Sequence, residues 1–425
     1  MIFSCAFDEN EHEGTGDSLM ARELVEVAIT GLGASTPLGG DVASTWAAML
    51  AGESGVTLIE DEWARELPVR IAARLAVEPT EVLPRVEARK LDRCEQLALV
   101  TAREAWADAA RPEVAPERLA VVIGTGTGGV GSLLAQDDAL ERHGARKVSP
   151  YVVTQMMANG PAAWVSIDLG ARGGARTPVS ACSSGAEAIA MGLDLIRLGR
   201  ADVVVAGGTE ACVAALPMAG FAQMTALSKS EDDPEAASRP FDADRDGFVL
   251  GEGAALVVLE RADLARARGA RVYAHVAGAG ITSSALHITA SDADGQERAI
   301  RQALADAEVD PLDVGVVHAH ATSTPAGDVV EAAVIAGTIG LHPVVTATKS
   351  MTGHLLGASG ALGALVTALA LHEGRLPAVR NLEHVDPEVK LDLVSGAPRR
   401  GEWGAGLANS YGFGGHNVSL VLTRV

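Results

Sequence analysis

The sequence predicts an α/β protein made of two similar halves. Three observations carry this. Continuous Val/Ile/Leu runs alternate with longer small-residue stretches, the pattern of strands buried on both faces between helices. Four elements recur in the same order along the chain. Hydrophobic residues make up 48% of the 425 residues but aromatics only 3%, while glycine numbers 47. A core of that size must therefore close through small and aliphatic side chains in tight contact.

Taken in order, residues 25–34 read as a buried strand ending in glycines, and residues 272–281 repeat that character. Residues 119–126 have their counterpart in residues 314–321. A small-residue helix follows Cys182 and runs through Leu198, and another opens at His354. Each half then ends in a hairpin-like pair, residues 247–259 and residues 412–422. The charged segment 261–271 is the expected seam, dividing an N-terminal half, 23–262, from a C-terminal half, 263–425. Residues 1–22 carry Asp8, Glu9, Glu11, Glu13 and Asp17 without a basic-then-apolar signal pattern. They are expected to form a flexible leader or a start-site artefact, with Met20 as the alternative start. No stretch reads as long and apolar enough to span a membrane.

Charge and cysteine usage narrow the function classes. A formal net charge of −21 argues against a nucleic-acid binder. Cys5, Cys94, Cys182 and Cys212 show no metal-ligand spacing, and no disulfide framework is expected. A reducing cytoplasm suits a reactive thiol.

Cys182 is the leading candidate for such a thiol. It lies in Thr177-Pro178-Val179-Ser180-Ala181-Cys182-Ser183-Ser184-Gly185, a turn of small residues at a helix start. Backbone N–H groups and the helix dipole there favour a thiolate. A lone cysteine reads more simply as a core residue, but two histidine motifs follow. His318-Ala319-His320-Ala321-Thr322-Ser323-Thr324-Pro325 leaves an apolar strand for a polar loop. Lys349-Ser350-Met351-Thr352-Gly353-His354 opens the second small-residue helix. A third motif, Asn409-Ser410-Tyr411-Gly412-Phe413-Gly414-Gly415-His416-Asn417, sets one bulky plug in a glycine hinge. His12, His143, His372 and His384 lie in no such motif and read as surface residues.

Together these motifs, with Arg239-Pro240-Phe241-Asp242-Ala243-Asp244-Arg245-Asp246-Gly247-Phe248, resemble the β-ketoacyl-acyl-carrier-protein synthases of the elongating type. The family includes the ketosynthase subunits of type II polyketide synthases. The resemblance runs from about Val25 to Val425. It implies a thiolase-like fold, a duplicated five-layer α-β-α-β-α architecture with two central sheets between helices. It implies decarboxylative Claisen condensation of a Cys-bound acyl chain with a malonyl-acyl carrier protein, without cofactor or metal. Cys182 would be the nucleophile, and His320 and His354 neutral N–H donors to the enolate oxygen. Lys349 would organise the histidines. The backbone N–H groups of Cys182 and Phe413 would form an oxyanion hole, and Phe413, between Gly412 and Gly414, would gate the site. Arg146 and Lys147 resemble a carrier-docking segment, with Arg89, Lys90 and Arg93 as further candidates. The implied partners are acyl- and malonyl-loaded carrier protein and a second subunit. That subunit is an identical copy or a homologous chain-length factor, and residues 180–205 suit an interface as well as a core.

Three positions depart from the family pattern: His318 stands where Asn is usual, Ala321 where Gly is usual, and Gly363 where Glu is usual. Cys94 also replaces a usual Phe. Lys349, without the carboxylate at 363, is expected to pair with Glu331. A degradative thiolase would carry a second cysteine near the C-terminus, and none follows Cys212. An initiating synthase would carry Asn at 354, and an inactive chain-length factor would lack Cys182. A non-catalytic or decarboxylase-only carrier-binding subunit is the alternative that Gly363 and His318 leave open.

Overall fold

The computed structural model describes residues 25–425; the expected leader, His12 and Cys5 lie outside them. Eleven strands form one mixed sheet. In chain order they are β1 (Val27–Ser35), β2 (Leu119–Gly124), β3 (Ala175–Arg176), β4 (Val203–Glu210), β5 (Gly253–Arg261) and β6 (Ala274–Ser283). They continue as β7 (Val314–His318), β8 (Val344–Thr346), β9 (Asp392–Leu393), β10 (Ala405–Gly412) and β11 (His416–Thr423). Their spatial order is β9-β8-β7-β10-β11-β6-β1-β5-β4-β2-β3. Read outward from the centre, β1-β5-β4-β2-β3 and β6-β11-β10-β7-β8 follow the same path, which is the duplication seen in the strands. The two sheet layers are continuous rather than separate. Antiparallel pairing of Ala28 with His275 and Ile29 with Ala274 joins them at their inner edges.

Six helices complete the layers: α1 (Arg93–Asp108), α2 (Gly160–Leu169), α3 (Ser184–Arg197), α4 (Ala293–Ala307), α5 (Pro325–Thr338) and α6 (Ser359–Glu373). α1 and α2 cover the first half of the sheet, and α4, with α5 beside it, covers the second. α3 and α6 pack on each other and on both halves, forming the central layer. The main core lies there, among Ile189, Leu193, Leu362, Leu365, Val257 and Leu420. Burying each such side chain contributes about 1.5–3 kcal/mol. Most of residues 180–205 thus belongs to the core, while Asp194 and Leu198 to Arg200 are exposed. The low aromatic content has its reason at the α3/α6 crossing. A Cβ on Gly360 would meet Ala186 Cβ at 2.8 Å, so the two helices touch backbone to backbone.

Local chemistry sets the ends of these elements. Asp92 caps α1 through Cys94 N in a capping box with Glu95. Buried Cys94, Leu97, Ala98, Thr101, Ala102 and Ala105 repeat at helical spacing along its inner face. Asp292 caps α4 through Gly295 N.

Two expectations are corrected. Residues 247–259 are not a hairpin-like pair. β5 pairs antiparallel with β4, and residues 211–252 intervene as an excursion over the molecule's main cavity. The second pair, β10 with β11, is a true hairpin closed at Gly412 and His416. The segment Leu356–Glu373 is also long and apolar enough to cross a membrane, but nearly all of it is buried inside the protein as the central α6 layer.

Candidate active site

Cys182 sits in a 3-10 turn, Ala181–Ser183, that leads directly into α3. Ala181, just before it, holds a left-handed backbone with φ +51°, a conformation an alanine rarely adopts. Hydroxyls hold the turn in that shape. Ser184 Oγ donates to Ala181 O at 2.7 Å and accepts from Ser180 N at 2.9 Å. Ser183 Oγ donates to Ser180 O at 2.8 Å. Ser410 Oγ, from β10, donates to Cys182 O at 3.0 Å. The serines that read as generic small residues are therefore the framework of the turn.

The turn opens into a cavity of about 610 Å³ lined by Cys182, His320, His354, Phe413, Phe221 and Phe248, among others. The structure thus brings together Cys182, His320, His354 and Phe413, separated by up to 231 positions in sequence. The His320 and His354 rings lie 5.4 Å apart, edge to face. His354 Nδ1 is 2.9 Å from Ser359 Oγ at the start of α6. His320 Nδ1 is 3.5 Å from Lys349 Nζ. A lysine ammonium can only donate, so this contact leaves the His320 proton on Nε2. Burial pushes both imidazoles well below their ordinary range, and Lys349 adds to that, so both rings are neutral.

Cys182 departs from the thiolate expectation. Burial pushes its thiol up to about 11, against the pull of the Lys349 charge and of N–H groups from Phe413 and from its own backbone. The donors expected of an activated thiol are present, but desolvation outweighs them. The resting group is a neutral thiol with two N–H groups turned toward it.

Lys349 is buried, and burial lowers it to about 8. Its expected ion pair with Glu331 is not formed. The ammonium donates to the backbone carbonyl of His320 instead. Glu331 is itself buried on α5. Its carboxylate accepts from His320 N and Ala321 N, each at 2.7 Å, and from Asn409 Nδ2 at 3.3 Å. Lysine and glutamate therefore grip the His320 peptide from its two ends, and attract each other without contact. The two groups meet through the His320 peptide rather than through a direct bridge.

Two further structural residues escaped the sequence reading. Glu210, fully buried at the end of β4, accepts from Gly126 N at 2.7 Å, Thr127 Oγ1 at 2.6 Å and Gly357 N at 3.0 Å. It ties the loop after β2, on the Cys182 side, to the loop after His354. The only signal was an acid closing an otherwise apolar run, Val203-Val204-Val205-Ala206-Gly207-Gly208-Thr209-Glu210. Arg245, from the Arg239 motif, is the second. It donates to Thr324 O at 3.1 Å and Pro325 O at 2.6 Å, bonds Asp386 at 2.8 Å and lies 3.7 Å from Asp328. It thereby anchors the start of α5, which carries Glu331.

Phe413 is partly exposed at the mouth of the cavity. The following Gly414 and Gly415 hold φ +91° and +76°, values open to glycine, so the hinge residues are required by the backbone. Gly414 N donates to Ile288 O at 2.7 Å. Away from the cavity, Arg89, Arg146 and Lys147 are exposed and Lys90 half-buried, and none has an ion-pair partner among the described residues. Gln155 Nε2, in the short helix Val152–Met156 that follows the Arg146-Lys147 segment, lies 3.5 Å from Arg89 O. Arg93 is not available for docking, because it is held by Glu78 at 2.5 Å and Glu252 at 2.8 Å. His143, His372 and His384 are exposed, as expected of surface residues.

Comparison with known proteins agrees with this geometry. Residues 25–265 match the beta-ketoacyl synthase N-terminal domain and residues 273–383 the beta-ketoacyl synthase C-terminal domain. The chain belongs to the β-ketoacyl synthase family. It is 43% identical over 404 residues to 3-oxoacyl-[acyl-carrier-protein] synthase 2 of Mycobacterium tuberculosis, covering 94% of this chain and 97% of that protein. A beta-ketoacyl synthase from Burkholderia phymatum superposes with a TM-score of 0.89 at 35% identity, covering 95% of this chain and all of that one. The ishigamide ketosynthase/chain length factor gives a TM-score of 0.89 at 32% identity, with the same coverage. The fold is thiolase-like, and the chain is a condensing enzyme of the acyltransferase class.

Proposed function

We propose that this ketosynthase elongates acyl chains by decarboxylative condensation, with Cys182 as nucleophile and His320 and His354 as enolate-stabilising donors. The observation that carries the reading is the convergence of a buried thiol, two neutral histidines and the Phe413 N–H on one cavity. In the first step the Cys182 sulfur attacks the carbonyl of an acyl thioester. The carrier thiolate leaves and takes up the Cys182 proton, so two thiol groups exchange one acyl chain. The Phe413 and Cys182 N–H groups bind the oxygen anion that forms on the way.

In the second step a malonyl thioester takes the vacated place, its carbonyl oxygen facing the two histidine N–H groups. The bond to its carboxylate breaks, carbon dioxide leaves, and the electron pair becomes an enolate. The enolate carbon attacks the Cys182 thioester, the sulfur departs, and a 3-oxoacyl thioester results. Neutral rings suit this role, since they donate to the anion without protonating it. Lys349 and Glu331 set the position of His320 and leave its Nε2 proton free for the substrate. Phe413 gates entry, and the chemistry calls for neither metal nor cofactor.

The carrier protein docks at Arg146, Lys147, Arg89 and Lys90, basic side chains without an ion-pair partner among the described residues of an acidic protein. Elongation of fatty acids is favoured by the 3-oxoacyl synthase relatives, and polyketide elongation by the ishigamide ketosynthase. The active unit is a dimer, with an identical chain or with a chain-length factor, and it works in the reducing cytoplasm. Cys94, Cys182 and Cys212 are free thiols, as that compartment allows. The test is acylation followed by mass spectrometry, with carrier-borne and small-thioester donors compared. One acyl adduct on Cys182 is expected, lost in Cys182→Ala. Arg146→Glu with Lys147→Glu should slow acylation from the carrier about tenfold and leave the small donor unaffected. An adduct that survives Cys182→Ala would end this reading.

A further inference from the structure

Two of the four departures from the family pattern meet in the fold. His318 closes β7, between β8 and β10, and its ring lies on α6 against Gly363. A Cβ on Gly363 would stand 2.8 Å from His318 Nδ1 and 3.1 Å from its Cε1. The histidine ring and a side chain at 363 therefore compete for one volume. α6 is buried from Ser359 to Leu371 and has no free direction in which to yield.

The same ring reaches the catalytic apparatus. His318 is buried, and its Nε2 lies 2.8 Å from Thr348 Oγ1. Its Nδ1 has no partner among the described residues. Burial pushes the imidazole down to about 3, so the ring is neutral. With its one proton on Nε2, it donates to Thr348 and leaves a lone pair over Gly363. That is cheaper to bury than an unpaired N–H. Thr348 is the N-cap of the turn Lys349–Thr352, and Lys349 is the next residue. The chain of contact runs from α6 through His318 and Thr348 to the lysine that supports His320.

We propose that His318 is a positioning residue for the decarboxylation half of the reaction. Its ring fills the space that a glutamate at 363 would take, and its bond to Thr348 fixes the turn that presents Lys349 to His320. The exchange at the two positions is one coupled change: glycine at 363 is the condition for histidine at 318. This inference rests on the condensing reading, and on His320 needing its Lys349 support at that step. The acyl-transfer step, which uses the Cys182 turn, does not depend on it.

The test measures release of carbon dioxide from malonyl-carrier and, in parallel, the rate of Cys182 acylation. Thr348→Val keeps the shape of the side chain and removes the hydroxyl. It should lower kcat for decarboxylation about tenfold or more, as a small misplacement of a catalytic group does. KM and the acylation rate should stay within about twofold of the parent by the same argument. Thr348→Ser should restore kcat. Gly363→Glu alone should lower the melting temperature, and His318→Asn combined with Gly363→Glu should recover it, a coupling that independent sites would not show. The inference is overturned if Thr348→Val decarboxylates like the parent, or if the double variant is no more stable than Gly363→Glu. A parent enzyme with no decarboxylation at all would instead overturn the condensing reading.

Discussion

Burial holds Lys349 at about 8, well below a free lysine, while Glu331, Cys182 and Asp328 pull it back up. Below that pH the folded protein carries a charged lysine in a dry site. This costs about 3 kcal/mol relative to a fully solvated lysine. Between about 8 and the ordinary lysine range the unfolded chain binds more protons than the folded one. This residue therefore makes stability rise with pH across that window. Activity runs the other way. As pH climbs through about 8 the ammonium is lost, and with it the fixed Nε2 tautomer of His320. Lys349→Met should remove the pH slope of stability in that window and leave the melting temperature at pH 7 equal or higher. It should also cut decarboxylation by about 10²-fold. Denaturation curves at pH 7 and pH 9.5 check the first part, and initial rates check the second. A variant that unfolds at pH 7 would show that Lys349 holds the fold together rather than the site.

The elements show how far a pattern of residues carries. β1, β2, β6 and β7 were legible because continuous apolar runs between small-residue stretches leave few other placements. The two central helices were legible for the same reason, although α6 starts at Ser359, five residues after His354. Residues 211–252 were not. An excursion that leaves a sheet and returns beside the strand it left has no local period, and the Gly247 to Leu259 stretch sets two apolar runs around Gly251-Glu252-Gly253 as a hairpin would. The site shows the same division. Cys182, His320 and His354 were legible because each lies in a motif of unusual residues at a turn. Glu210 was hidden because one carboxylate at a strand end says nothing of the Gly126, Thr127 and Gly357 donors that meet it. The Lys349 partner was misassigned because sequence fixes which residues are near. It does not say whether a carboxylate will choose an ammonium or two backbone N–H groups.

The whole molecule has an open edge. β3 ends the first half of the sheet and pairs only with β2 among the described residues, which leaves one side of the strand unused. Ile167 on α2, which packs on this strand, and Val179, just after it in the chain, are exposed. An unpaired edge of this kind suits the dimer proposed above. Sedimentation at micromolar concentration should give twice the mass of the chain, and a charge introduced by Val179→Asp should shift the balance to monomer. A monomeric, fully active parent would contradict the dimer. Inside the cavity, the proposed division of labour is between one sulfur and two histidines. It is tested most directly by carbon dioxide release from malonyl-carrier in Cys182→Gln, alone and with His320→Ala or His354→Ala added. Cys182→Gln should form no 3-oxoacyl product but still decarboxylate, and either histidine change should lower this by about 10²–10³-fold. Decarboxylation that persists at full rate without both histidines would contradict it.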